Sequence, residues 1–336
     1  MRSGTEWYPV DNASAVGATR RLAVRLATKL GFNEGRVGDV GIVVSEIAAN
    51  LWKHASQGSL ALQVALRSGV PGVRVIATDR GPGMDDLGLS ALDGHSTSGT
   101  LGVGLGAVLR LSTSVDITTQ PRRGTVLCAD LWPDGPSGTP AGDSVDVAGL
   151  TRPIANEEVC GDAVAARTLD GHHLLMLSDG LGHGPMAAGA SNEAVAAFHA
   201  TTTADPAVII AALHRAMRGT RGAAVAVAAV DADYTRLQFA GIGNISTFVA
   251  RRERRNAAMS QPGIVGHQMP RIRAIEFSLD ETALIIMHSD GVRESWNLRE
   301  APGLERRHAA VIAATVLRDA GNRPDDASVL VARHRR

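Results

Sequence analysis

Carboxylates stand at the mouths of two apolar runs in this 336-residue sequence. Leu174-Leu175-Met176-Leu177-Ser178-Asp179-Gly180 and Leu284-Ile285-Ile286-Met287-His288-Ser289-Asp290-Gly291 each read as a buried strand that stops at an Asp-Gly turn. Gly161-Asp162 precedes the first and Asp325-Asp326 follows the second, so four separated segments bring carboxylates to loop–strand junctions. Hard divalent cations such as Mg²⁺ and Mn²⁺ prefer such oxygen ligands. Two of them a few ångströms apart activate a bridging water for in-line attack on a phosphate ester. Any one Asp-Gly is ordinary turn chemistry; the matched set is what points to a metal cage.

The first half carries different chemistry. Glu46, Asn50 and His54 lie at i, i+4 and i+8 and share one helical face in apolar surroundings. On spacing alone, a hydrogen-bonded structural pair of carboxylate and amide is the simpler reading. Downstream, Val73-Arg74-Val75-Ile76-Ala77-Thr78-Asp79 is a strand that ends in a carboxylate, followed at once by Gly81, Gly83 and Met84. An Asp so placed accepts a hydrogen bond from an exocyclic amine such as N6 of adenine. Thr97-Ser98-Gly99-Thr100-Leu101-Gly102-Val103-Gly104-Leu105-Gly106 then opens a helix, whose free N–H groups favour a phosphate. A Gly-rich loop by itself is a weak signal.

Elements must hold these groups in place. Asn12 to Leu30 and Asn33 to His54 have the periodicity of amphipathic helices, and strands are predicted near 60–66, 73–78, 115–118 and 125–131, with a helix at 104–111. Helices stacked on one face of a mixed sheet follow, an α+β layer domain over residues 1–132. The Pro-, Gly- and Ser-rich stretch at 133–143 reads as a linker. In 144–336 short strands dominate, near 164–169, 173–177, 224–230, 236–241, 246–251, 283–288 and 328–332. Helices at 185–201, 206–218 and 305–320 interrupt them, as in a β-sandwich flanked by helices. The formal net charge of zero argues against a nucleic-acid backbone or an anionic membrane as principal partner. Two cysteines without zinc-ligand spacing, no secretory leader and no bilayer-length apolar stretch lead us to expect a cytoplasmic protein.

The order and spacing of the Glu46–Asn50, Asp79–Gly83 and Gly102–Gly106 segments resemble the N, G1 and G2 boxes of the GHKL (Bergerat) ATPases, and among them the small anti-sigma serine kinases of the RsbW/RsbT type. The resemblance covers about residues 1–131. It implies that Asn50 holds the Mg²⁺ bridging the phosphates of ATP and that Asp79 reads adenine. Gly81, Gly83, Gly102, Gly104 and Gly106 would shape the pocket and lid, Thr125 would support Asp79, and Glu46 would be the general base that deprotonates a substrate hydroxyl. One departure stands out: no Lys or Arg lies between Gly81 and Gly106, so backbone N–H groups and the metal must meet the phosphate charge.

Cys160-Gly161-Asp162, Ser178-Asp179-Gly180-Leu181-Gly182-His183-Gly184, Ser289-Asp290-Gly291 and Asp325-Asp326-Ala327-Ser328 likewise look like the metal-dependent Ser/Thr phosphatases of the SpoIIE/RsbX type, from about residue 147 to 332. That resemblance implies a binuclear Mn²⁺ or Mg²⁺ site with Asp162, Asp179, the Gly180 carbonyl, Asp290 and Asp325 as ligands. Asp325 is preferred to Asp326 by motif alignment. Arg221 is a candidate phosphate contact and His183 a candidate proton shuttle. Together the two resemblances imply a bifunctional kinase and phosphatase acting on Ser or Thr of STAS-domain proteins in a partner-switching pathway. The alternative is a phosphatase whose first domain binds ATP only as a sensing or interaction module.

Overall fold

Asparagine side chains start both long helices of the first unit. In the computed structural model, which describes residues 5–67, 69–84, 104–135, 144–252 and 254–335, the chain divides into Thr5–Asp143 and a second unit built on Ser144–Arg336. The first contains β1 (Glu6–Pro9), α1 (Ala13–Lys29), α2 (Glu34–His54), β2 (Ser59–Arg67), β3 (Val70–Thr78), α3 (Gly104–Leu111), β4 (Ser114–Gln120) and β5 (Gly124–Leu131). Asn12 accepts from the Ala15 amide and Asn33 from the Arg36 amide, which satisfies N–H groups that a helix start leaves open. Along α2, Val40, Val43, Val44, Ile47, Ala48 and Leu51 recur at helical spacing and are buried. They pack in one core with Ala23 and Ala27 of α1 and with Leu60, Leu62, Val73 and Val75 of the sheet.

The sheet order is β1-β2-β3-β5-β4, and each of these pairings is antiparallel. The layered α+β arrangement is as expected, but the sheet is not mixed. β3 and β4 run in the same direction, and β5 inserts between them, pairing antiparallel with both. The Gly-rich stretch from 85 to 103, with Gly102 in it, and most of the predicted linker, 136–143, lie outside the described residues.

The second unit contains β6 (Val145–Arg152), β7 (Asp162–Leu169), β8 (His172–Gly180), α4 (Gly184–Ala200), α5 (Pro206–Ala216), β9 (Ala223–Val230), β10 (Arg236–Ile242), β11 (Ser246–Ala250), β12 (Arg255–Ala258), β13 (Ile275–Ser278), β14 (Leu284–His288), α6 (Ala309–Ala320) and β15 (Ala327–His334). Two antiparallel sheets result, β13-β10-β9-β8-β7 and β12-β11-β14-β15-β6. Period-two alternation in β8 divides its side chains. Leu175 and Leu177 enter the core between the sheets with Ile285, Met287 and Leu330. Leu174 and Met176 face a second core with Ala190 and Phe198 of α4 and Ile209 and Leu213 of α5. β9, read Ala-Ala-Val-Ala-Val-Ala-Ala-Val, is buried along its whole length because both of its faces are covered.

Four strands, β1, β6, β12 and β13, are not apparent from the sequence pattern. The last helix starts at Ala309 and not at Glu305: Leu304–Arg306 forms a single 3₁₀ turn, and extended backbone at Arg307 ends it before the helix begins.

Candidate functional site

In the second unit the sheet register itself assembles the carboxylates. Asp162 opens β7 and stands directly opposite Asp179, near the end of β8. In the facing sheet, β14 ends at His288 and β15 starts at Ala327. The Ser289 amide donates to the Ser328 carbonyl at 3.2 Å, and the Ser328 amide donates to Ser289 Oγ at 2.9 Å. That clamp holds Asp290 beside the Asp325-Asp326 turn. The glycine after each strand-end Asp has a steric cause. A Cβ on Gly180 would lie 2.3 Å from the Ala187 carbonyl oxygen, and one on Gly291 would lie 1.9 Å from that of Asp326.

Asp162 is buried, and neither of its oxygens has a hydrogen-bond partner of ordinary geometry. Burial raises its pKa, the nearby Ser289 and Ser328 hydroxyls oppose the shift, and the charges of Asp326 and Asp290 add to it. Burial likewise raises Asp179, helped by the charges of Asp162, Asp290 and Asp325. Asp290 is raised by burial and by Asp325, with Arg323 and Asn244 acting the other way. Burying an unpaired carboxylate is costly, so a cluster in which each charge burdens the next is a chemical match for a cation. Among the described residues, no three of His, Cys, Asp and Glu are already gathered tightly enough to cage an ion. The fit rests on the orphaned Asp162 and on charges that converge from both sheets.

Asp325 and Asp326 separate cleanly. Asp326 is buried, with Oδ1 accepting from the Ile154 amide at 2.7 Å and Oδ2 from the Gly161 amide at 2.8 Å. Asp325 is exposed, and its charge is felt at Asp179 and Asp290. The Gly180 amide donates to the Gly161 carbonyl at 3.3 Å, which ties the two Asp-bearing ends together. His183 is exposed and joins Glu157 through Nδ1 and Oε1 at 2.8 Å. Arg221 is also exposed; its Nη1 lies 3.2 Å from where a Gly182 Cβ would stand, so it crosses the loop that follows Asp179.

Two contacts to Asp290 were not singled out from sequence. Asn244 Nδ2 donates to Asp290 Oδ2 at 2.8 Å, and Arg323 Nη1 donates to the Asp290 carbonyl at 2.7 Å. Asn244 follows Gly243, whose φ of +92° marks a strand-end turn. That turn was the available signal, and it was readable only as loop geometry.

In the first unit, Asp79 ends β3 and is held on both oxygens. The Gly81 amide donates to Oδ1 at 2.6 Å and the Thr125 amide to Oδ2 at 3.2 Å. The Arg80 amide donates to the Ser56 carbonyl at 2.9 Å, which anchors this turn just beyond α2. Gly83 has φ +74°, and a Cβ there would lie 2.1 Å from the Gln120 carbonyl oxygen. Thr125 Oγ1 lies 3.1 Å from Thr119 Oγ1, which in turn accepts from the Met84 amide at 2.8 Å. On α2, Glu46 is half-buried while Asn50 and His54 are exposed, so this stripe is not part of the core. The start of α3 comes down on that stripe: a Cβ on Gly104 would be 2.8 Å from Glu46 Oε2 and 3.8 Å from Asn50 Oδ1. Gly106, two residues further along, is buried. Glu46, Asn50 and the first turn of α3 are thus brought together, and Asp79 is fixed beyond the C-terminal end of the same helix.

Comparison with known proteins follows the same division. Residues 9–130 match the family model of the histidine kinase-like ATPase domain, and residues 169–335 match that of stage II sporulation protein E. The serine/threonine-protein kinase RsbT of Bacillus subtilis (strain 168) is 33% identical over 132 residues, which is 39% of this chain and 94% of that protein. A solved structure described as belonging to the bacterial stressosome, a modular system adapted to control secondary messenger signaling, is 33% identical with a TM-score of 0.52. The match covers 56% of this chain and 99% of that one. RsbX in complex with magnesium shares the fold at 15% identity and a TM-score of 0.50, over 59% of this chain and 99% of that one. No helix among the described residues is long and apolar enough to cross a membrane.

Proposed function

Because the chain belongs to the RsbT-type serine/threonine kinases through its histidine kinase-like ATPase unit and carries a SpoIIE phosphatase domain after it, we infer that one polypeptide both adds and removes phosphate on a partner-switching protein. The partner class is a STAS-domain protein phosphorylated on Ser or Thr. Support for that class comes from relatives named for RsbT and the stressosome.

For dephosphorylation, Asp162, Asp179, Asp290 and Asp325, with the Gly180 carbonyl, would hold Mn²⁺ or Mg²⁺. The bound ions would supply a water acidic enough to act as hydroxide near neutral pH. Asn244 and Arg323 orient Asp290 through its carboxylate and its carbonyl. Asp326 keeps the Gly161 end of β7 in place. Arg221 would meet the substrate phosphate, and His183, paired with Glu157, would return a proton to the leaving hydroxyl. For phosphorylation, Asp79 would accept from the adenine amine, Asn50 would hold the Mg²⁺ of ATP, and Glu46 would take the proton from the substrate hydroxyl. Gly81, Gly83, Gly102, Gly104 and Gly106 would let the backbone close around the nucleotide, and Thr125 would steady Asp79.

The observation that carries this reading is the buried Asp162 carboxylate, unpartnered and facing Asp179. Its test is hydrolysis of a phosphoserine substrate, which should require Mn²⁺ or Mg²⁺, stop with EDTA, and fall at least a hundredfold in Asp179→Asn. Full activity in that variant would remove the cage from the mechanism. A second reading, in which the first unit binds ATP only as a sensing module, is favoured by the missing basic residue between Gly81 and Gly106.

A further inference from the structure

Two long stretches of the second unit, 206–230 and 256–275, contain neither Asp nor Glu. The first carries Arg215, Arg218 and Arg221, and the second His267, Arg271 and Arg273. The fold joins them at the end of α5. His214 Nδ1, in the last turn of that helix, accepts from the Gly266 amide at 3.1 Å, and His267 Nε2 donates to the Thr220 carbonyl at 3.1 Å. Ala223 and Val265 exchange amide–carbonyl bonds of 3.1 and 2.9 Å. Gly222 makes the approach possible: its φ is +76°, and a Cβ there would lie 2.6 Å from His267 Cδ2. The Leu181 amide donates to the Gly222 carbonyl at 3.1 Å, so the joined segments border the loop that follows Asp179.

The positive charge of this edge is not spent within the unit. Arg215, Arg218 and Arg221 are exposed and make no hydrogen bond or ion pair among the described residues. Burial lowers the His214 pKa, and the charges of Arg218, Arg215 and His267 lower it further, which places three cations around one imidazole. The acids that bound the two stretches are engaged elsewhere. Asp205 caps the opposite end of the 11-residue α5, about 16 Å from its last turn, by accepting from the Ala207 and Val208 amides. Asp231 follows the far end of β9 and holds the Thr235 amide and hydroxyl, and Glu276 accepts from Gln238. Arg221 crosses the loop after Asp179, and Arg218 precedes it by three residues, so their Cα atoms are at most about 10 Å apart.

We propose that the Arg215–Arg218 edge docks an acidic segment of the phosphoprotein substrate, lying about three residues from the phosphorylated Ser or Thr. The proposal rests on the phosphatase reading of the carboxylate cage and adds the chemistry by which a substrate is chosen. Three residues of extended chain span about 10 Å, which matches the step from Arg221 to Arg218. Guanidinium forks pair with carboxylates bidentately, and complementary charge beside a reacting centre speeds encounter and rejects partners of the wrong sign.

The test uses the full chain with Mn²⁺ and two labelled peptides that carry the non-hydrolysable phosphonate analogue of phosphoserine. One has Glu at the second to fourth positions after it, the other Gln. Fluorescence anisotropy should show the Glu peptide binding at least tenfold more tightly, with the advantage shrinking as salt is raised. The double variant Arg215→Glu, Arg218→Glu should lose that advantage with an unchanged melting temperature, and Arg215→Lys, Arg218→Lys should keep most of it. With the hydrolysable peptides kcat/KM should follow the same order, while p-nitrophenyl phosphate, too small to reach Arg218, should be hydrolysed within about twofold of wild type by both variants. Equal affinity for the Glu and Gln peptides, or a Glu preference that survives in the Glu double variant, would overturn the proposal. So would phosphatidylserine vesicles that bind in an Arg218-dependent manner while the Glu peptide does not. Glu-dependent binding without hydrolysis of any substrate would instead sink the phosphatase reading and leave the docking edge standing.

Discussion

Asp326 is buried with both oxygens committed to the Ile154 and Gly161 amides, while its neighbour Asp325 is exposed and adds its charge to Asp179 and Asp290. Asp326→Ala should therefore strand the buried Gly161 N–H and the half-buried Ile154 N–H and cost about 2–4 kcal/mol of stability. Asp325→Ala should stay within about 0.5 kcal/mol, as exposed substitutions do, yet lose metal-dependent hydrolysis. Denaturant midpoints measured beside Mn²⁺-dependent rates separate the two roles, and the opposite pattern would exchange them. Protons report on the same cluster. The Asp162 and Asp179 pKa values are raised from near 4 to about 7 and about 9, by burial first and then by neighbouring charge. A carboxylate raised in the folded state contributes stability that is complete below its unfolded value and is lost as pH rises through the folded one. Metal-free protein should thus lose stability from about pH 4 upward to about pH 9. Because a cation competes with those protons, Mn²⁺ should raise the melting temperature more at pH 8 than at pH 6. Melting curves at the two pH values, each with EDTA and with Mn²⁺, check this; an equal or smaller gain at pH 8 would mean that these carboxylates do not hold the ion.

In the proposed kinase reaction, helix α2 and the start of α3 would separate nucleotide binding from phosphoryl transfer. Asp79 sits at the end of β3, beyond the C-terminal end of α2, while Glu46 lies two turns further back on that helix, against Gly104. Asp79→Asn should weaken ATP binding at least tenfold. Glu46→Ala should leave binding within about threefold and abolish transfer to a STAS partner, because a general base matters chiefly in the transition state. Calorimetry with ATP and a phosphotransfer assay read the two effects separately; unchanged transfer in Glu46→Ala would favour the sensing-module reading. The elements that carry these residues were legible because their signals are local. Asn caps, 3.6-residue periodicity and apolar runs that stop at Asp-Gly all lie within one helix or strand. β6 was not, since Val145–Arg152 follows the Pro/Gly stretch, is interrupted by Gly149, and pairs with β15 almost at the other end of the chain. The antiparallel sheet was hidden for a similar reason: inserting β5 between β3 and β4 is a long-range choice that periodicity does not record. Among the site residues, the fixation of Asp326 depends on amides more than 160 residues away, so motif alignment alone had to separate it from Asp325.

Joining the two proposed, opposed activities in one chain would have a kinetic consequence that neither unit has alone. The units meet in sequence at a Pro-, Gly- and Ser-rich segment of about ten residues, short enough to keep a partner released by one site at high local concentration near the other. The formal net charge of zero supplies no long-range field toward a strongly charged surface, so specificity must come from local contacts on the partner. With ATP, Mg²⁺ and Mn²⁺ present, wild-type protein should hold a STAS partner at partial steady-state phosphorylation while consuming ATP continuously. Asp290→Asn removes a carboxylate from the proposed cage without touching α2, so it should drive the same partner to near-complete phosphorylation. ATP use should then stop after one equivalent per acceptor site. Intact-mass spectrometry of the partner over time, with ADP release measured in parallel, reads both quantities. Identical phosphorylation by wild type and Asp290→Asn, under conditions where wild type dephosphorylates a control phosphoserine substrate, would show that the two units serve different targets.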